Sequence, residues 1–148
     1  MKIFSNPKAN VKTKFGQYQI AVLGDVIAVS AVGMADKSAI KQYGQDMIDV
    51  ISAFNCNKWA FLGLLHASST LTKDGEIELQ KSIEWRALHG MAVGALVIGD
   101  TFVQGMVQSQ FQRIYQKAGL PLGVFNDEDS ALKWLAEQGF STTVDAGD

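Results

Sequence analysis

Two kinds of apolar pattern alternate along the chain. Continuous runs, Trp59–His66 (WAFLGLLH) and Met91–Ile98 (MAVGALVI), are short and apolar on both faces. Runs of that kind read as strands inside a sheet that is covered on both sides. Before, between and after them come stripes at helical spacing. In Asp36–Phe54 the residues Ile40, Tyr43, Met47, Ile51 and Phe54 fall three or four apart and make one apolar stripe. Asp36 or Ser38 supplies the cap, because either side chain can accept from the free amides of the first turn. Asp74–His89 opens with Asp74, Glu76 and Glu78, as the helix dipole favours. Its apolar residues, Ile77, Leu79, Ile83, Trp85 and Leu88, spread around the cylinder. Thr101–Ala118 is a third helix, carrying Phe102, Met106, Val107, Phe111, Ile114 and Tyr115. Gly119 and Pro121 stop it. Leu122–Phe125 is a short last strand. Asn126 caps a final helix over Asp127–Gln138 through Asn126-x-x-Asp129, with Leu132 and Leu135 facing inward.

Upstream, Tyr18–Leu23 and Val26–Val32 are rich in strand formers and are separated only by Gly24-Asp25, the signature of an antiparallel hairpin. The predicted order is β-β-α-β-α-β-α-β-α. A hairpin followed by βα units gives an α/β fold with a mixed open sheet of about five strands, the later ones parallel. Residues 1–14, which include Asn6-Pro7, are expected to be a flexible basic arm. Residues 15–140 are expected to be the single domain, and 141–148 an acidic tail. In open α/β sheets ligands sit beyond the carboxyl ends of the strands, which singles out the turn Gly99, Asp100 and Thr101 after the Met91–Ile98 strand.

Composition narrows the function. The chain has 148 residues, enough for one domain with a proper core. Thirteen Lys and Arg stand against fifteen Asp and Glu, for a net charge of −2, so no overall field favours nucleic acid. A single cysteine, Cys56, has no internal partner for a disulfide, and a cytoplasmic location is expected. The amino end lacks the apolar segment of a secretory signal, and no stretch is apolar for long enough to span a bilayer. Lys2, Lys8, Lys12 and Lys14 precede Gln17 without an acidic residue among them. They suggest peripheral contact with an anionic membrane face.

Catalytic chemistry finds little support. His66, Ser68, Ser69 and Asp100 have the residue types of a nucleophile, base and orienter, and strand ends can converge. No Gly-x-Ser-x-Gly elbow accompanies them. His66 is better read as the end of a buried strand, and Ser68, Ser69 and Thr70 as a solvated turn. Cys56, His66 and His89 lack the short paired spacings of metal sites, and no Gly-x-Gly-x-x-Gly marks a dinucleotide fold. No cofactor and no metal are expected, and a small hydrolase ranks last among the functions considered. The Thr101–Ala118 helix has no acidic residue. Its polar side is Gln104, Gln108, Gln110, Gln112 and Gln116, with Arg113 and Lys117. Such a face can be buried against a partner at less cost than a charged one, or serve as a plain surface. Trp85, Leu88, Phe102, Met106, Phe111 and Tyr115 are the candidates to line an apolar ligand site, with core packing as the alternative.

The element order over Gln17–Phe140 resembles the SpoIIAA-like family, small domains related in fold to STAS and CRAL-TRIO domains. The stretches that carry the likeness are AVGALVIGDTF, leading from a strand into a helix, and LGVFNDEDSALKWLAEQG. The resemblance implies a non-enzymatic domain that holds an apolar or lipid-like ligand or docks on a membrane or partner. The alternative it carries is a STAS-type regulatory and interaction module, with homo-oligomers expected. STAS domains of the anti-sigma antagonist type carry Asp-x-Ser after their third strand. Here the matching stretch is His66-Ala67-Ser68-Ser69-Thr70, without the aspartate, which weighs against a phosphorylation switch.

Overall fold

Strands and helices alternate in the order β1 (Ala9–Thr13), β2 (Gly16–Leu23), β3 (Val26–Val32), α1 (Lys37–Phe54), β4 (Trp59–His66), α2 (Lys73–Ala87), β5 (Met91–Ile98), α3 (Gln104–Ala118), β6 (Leu122–Phe125) and α4 (Glu128–Glu137). The computed structural model describes residues 3–13, 16–33, 36–66, 70–99 and 104–142. The strands form one mixed sheet whose spatial order is also the chain order, β1 to β6. β1, β2 and β3 are antiparallel neighbours, and β3 through β6 run parallel. The β2–β3 turn is Gly24-Asp25, with Leu23 opposite Val26 and Gly24 at φ 56. A φ in that region is open to glycine without steric cost, which suits a two-residue hairpin.

The sheet has six strands, one more than the hydrophobic pattern predicts. The additional strand, β1, lies in the stretch expected to be a loose arm, and it pairs along β2 from Ala9 opposite Ile20 to Thr13 opposite Gly16. Its sequence, ANVKT, half-buries Ala9 and Val11 and exposes Asn10 and Lys12. A short edge strand with an outward lysine resists pairing with another chain, and the same weak hydrophobicity hides it from a pattern search. The segment after α4 is likewise tied in at its start. Phe140 is buried, and the Ser141 carbonyl accepts from Asp25 N at 2.9 Å.

Successive parallel strands that are neighbours in space, joined by crossovers of one hand, put their helices on one face. Accordingly α1, α2 and α3 pack on the same side of the sheet. Ile40, Met47 and Ile51, then Leu79 and Ile83, then Val107 and Ile114 meet Ile20, Ile27, Trp59, Phe61 and Leu96 there. α4 covers the other side with Ala131 and Leu135 against Ala28, Leu62 and Ala95. The central strands are therefore apolar on both faces because both faces are covered.

Helix starts follow their caps. Asp36 accepts from Ala39 N at 2.9 Å and Thr72 Oγ1 accepts from Gly75 N at 3.0 Å. At α4 the cap is Asp127, which accepts from Ser130 N at 2.8 Å, one residue later than the Asn126 expected from sequence. Both residues can cap, and Asp127-x-x-Ser130 is the geometry adopted. Asn55 ends α1 in the left-handed region at φ 49. Among the described residues no helix is long and apolar enough to cross a membrane.

Candidate functional site

On the helical face of the sheet, small residues sit where large ones would fill the space. Gly63 of β4 and Gly94 of β5 lie on adjacent strands, with Phe61 opposite Gly94 and Gly63 opposite Leu96. A Cβ at Gly63 would be 2.8 Å from Leu96 Cδ2 and 2.9 Å from Phe61 Cε2. A Cβ at Gly94 would be 2.6 Å from the Tyr115 hydroxyl oxygen. The two glycines let the Phe61 and Tyr115 rings lie down on the sheet. Above them a cavity of about 60 Å³ remains, bounded by β2 to β5 below and α1, α2 and α3 above. Its lining is mostly apolar, with Val29, Ile40, Phe61, Leu79, Leu96 and Phe111 among the contributors.

Four polar side chains reach this cavity: Tyr18, Tyr43, Arg86 and Tyr115. Arg86 is the unusual one, being only 1 % exposed. Its place follows from helical geometry. Gly75, Leu79, Ile83 and Arg86 are the buried positions of α2, spaced four, four and three apart along one stripe. The guanidinium lies over two aromatic rings, 5.1 Å from the Tyr43 ring centre and 5.2 Å from that of Phe61. Such stacking offsets part of the cost of taking a cation out of water. Arg86 Nη2 donates to Ser82 Oγ at 3.1 Å, while Nε has no partner. Among the described residues the ion pairs are Lys81–Glu78 and Arg113–Glu76, and no described carboxylate pairs with Arg86. The Tyr115 hydroxyl is also buried without a partner.

The tyrosines are held neutral. Burial pushes the Tyr43 and Tyr115 phenols up from their ordinary value, against a smaller opposite pull from the Arg86 charge and, at Tyr43, from a hydrogen bond with Arg86. Tyr18 is raised first by burial and then by Asp46, to whose carboxylate its hydroxyl donates. Tyr18 and Tyr43 meet edge to face, with ring centres 5.4 Å apart at 72°. At neutral pH the cavity thus presents one fixed cation and uncharged phenols inside an apolar wall.

Of the residues picked out from the sequence, Phe111 and Tyr115 line this cavity. Trp85 is elsewhere, in an open groove between α1 and α2 with Ile40, Gly44 and Ser82, its ring stacked on His89 at 3.9 Å. Leu88, at the carboxyl cap of α2, is 83 % exposed, and Met106, in the first described turn of α3, is 62 % exposed. Helical phase separates these from the buried stripes, so the structure does not bring them to the cavity. Gly99 continues the strand end, donating to the Leu65 carbonyl at 3.2 Å. Asp100, Thr101 and Phe102 lie outside the described residues, as do Ser68 and Ser69. His66 is exposed at the end of β4, and no group of three or more His, Cys, Asp or Glu that could hold a metal occurs among the described residues.

Two glutamines of α3, Gln104 and Gln110, make internal hydrogen bonds. Gln110 Nε2 donates to the Leu71 carbonyl at 3.0 Å, and Leu71 N donates back to Gln110 Oε1 at 2.8 Å. This two-way amide pair fixes the approach to α2, whose Leu71 also lines the cavity. Gln104 Nε2 donates to the Ile98 carbonyl at 3.4 Å, and from α2 Gln80 Nε2 donates to the Ile114 carbonyl at 3.0 Å. No protein-family model, curated protein or solved structure matches the chain.

Proposed function

We propose that the chain is a small non-enzymatic binding module that holds an apolar or lipid-like ligand between α1, α2, α3 and the sheet. The observation that supports this reading is the cavity of about 60 Å³, walled by Val29, Ile40, Phe61, Leu79, Leu96 and Phe111. One water needs roughly 10–15 Å³ by this kind of measure and a benzene-binding cavity about 150 Å³, so the space suits the end of an apolar chain rather than a ring. An apolar wall broken by a few placed polar groups is what orients a small ligand in a site. Mass spectrometry of solvent extracts from the purified protein tests the proposal. A stoichiometric apolar compound is expected. A clean extract, together with no thermal shift from any short-chain probe, would remove the basis for a ligand-binding role.

A further inference from the structure

We infer that the ligand of this cavity is a monocarboxylate with an apolar body, its carboxylate held inward by Arg86 with the Tyr115 hydroxyl as a second donor. The inference rests on the cavity being a ligand site and adds the chemical class of what enters it. Arginine carries five N–H donors in a planar fork and cannot shed its charge. The Arg86 guanidinium packs near the Tyr43 and Phe61 rings, donates to Ser82 and also reaches the Tyr43 hydroxyl, which leaves Nε without a partner. Nε remains open, and so does the Tyr115 hydroxyl in the same cavity. Both can donate, and the carboxylate that would ordinarily accompany a buried guanidinium is missing among the described residues. A buried charge is tolerated when it is paired, so a ligand that brings its own anion completes the site.

The choice of anion follows from the surroundings. The guanidinium fork matches a carboxylate in geometry and charge. A phosphate would bring more charge and more acceptors than one guanidinium and neighbouring phenols can satisfy. The rest of the wall is apolar, which calls for hydrocarbon behind the headgroup. Arg86, Tyr43 and Tyr115 line the same small cavity, and the Arg86 guanidinium is 5.1 Å from the Tyr43 ring centre.

The test is calorimetric titration of the full chain at neutral pH with hexanoate, hexanol and acetate. Hexanoate shares its tail with hexanol and its headgroup with acetate. Hexanoate is expected to bind at least tenfold more tightly than either. Arg86→Met should cut hexanoate binding at least tenfold, down to the level of hexanol, and Tyr115→Phe should cut it several-fold. Equal binding of hexanol and hexanoate would overturn the carboxylate anchor while leaving an apolar site standing. Acetate as tight as hexanoate would overturn the apolar body, and with it the proposed function. No binding by any of the three would overturn both readings. Should Arg86→Met fail to fold, the three-ligand comparison and Tyr115→Phe on the folded protein still decide.

Discussion

Gly94 and Tyr115 exclude any larger residue at the glycine, since a Cβ there would stand 2.6 Å from the tyrosine hydroxyl oxygen and 2.7 Å from Cζ. The ring belongs to α3 and the glycine to β5, so this contact sets how closely the helix approaches the sheet. Overpacking of this kind costs about 1–3 kcal/mol. Gly94→Ala is expected to lose that much in urea unfolding. In a Tyr115→Ala background the same change should cost little, giving a coupling energy of about 1 kcal/mol or more. Additive losses would show that Tyr115 is not what the glycine accommodates.

Arg86→Met keeps an unbranched stem between Tyr43 and Phe61 and removes the charge. Replacing buried ionic groups with apolar ones of similar shape is often neutral or stabilising by about 1–4 kcal/mol. The ligand-free variant is therefore expected to be at least as stable as the parent in chemical denaturation. A loss above about 2 kcal/mol would mark Arg86 as a structural strut.

All three tyrosines of the chain, Tyr18, Tyr43 and Tyr115, line the cavity, and all three phenols are raised above 10. In the unfolded chain they ionise near 10, and in the folded chain later. Their contribution to stability is therefore fully present below pH 10 and is lost as pH rises beyond it. For the enclosed Tyr43 and Tyr115 the slope reaches at most about 1.4 kcal/mol per residue per pH unit. Phenolate absorbance should stay absent at pH 10 and appear together with unfolding. Ordinary titration of any tyrosine near 10 in the folded protein would contradict its enclosure.

Gln110 holds the Leu71 backbone with two hydrogen bonds. Gln110→Leu leaves the Leu71 amide and carbonyl without that partner and is expected to cost about 1–3 kcal/mol. Because Leu71 lines the cavity, ligand exchange should also become faster, which relaxation-dispersion NMR of a bound probe would register. Unchanged stability and exchange would show that water replaces the amide without loss.

Contact with an anionic membrane remains a separate hypothesis, motivated by the exposed lysines Lys8 and Lys12, the latter on β1. Each lysine near such a surface contributes about 1 kcal/mol, screened within roughly 10 Å at 0.1 M salt. Flotation is expected to show salt-sensitive binding to anionic vesicles, lost in the double variant Lys8→Glu, Lys12→Glu. Equal recovery with neutral vesicles would end the idea. Met106 is not placed to be the second contact. β1 is one edge of the sheet, whereas α3 leads into β6 at the other, roughly 24 Å away at five strand spacings.

The strands with strong apolar content were legible in the sequence: Val26–Val32, Trp59–His66, Met91–Ile98 and Leu122–Phe125 all match the structure. β1 was not, because a polar edge strand gains its stability from pairing with β2 rather than from burying side chains. The site was legible in part. Phe111 and Tyr115 fall on an apolar stripe and belong to the cavity wall. Leu88 and Met106 are equally apolar, but solvent faces them, and composition alone cannot assign helical phase at an end. Arg86 is inconspicuous in the sequence because Ile77, Trp85 and Leu88 spread the apolar residues of α2 around the helix. The signal was there in the spacing of Leu79, Ile83 and Arg86, a charged residue on the stripe of two aliphatic ones.

The sheet is laid down in chain order, and that has a consequence for biosynthesis. Each strand from β2 onward joins a neighbour already made, so no earlier pair must open to admit a later one. The cavity is different. Its wall draws on residues from Tyr18 to Tyr115, and none of its lining comes from β6 or α4. Its last component to leave the ribosome is α3. Until Tyr115 settles over Gly94, the wall around the arginine of α2 is incomplete, and only after that moment can the proposed ligand be enclosed.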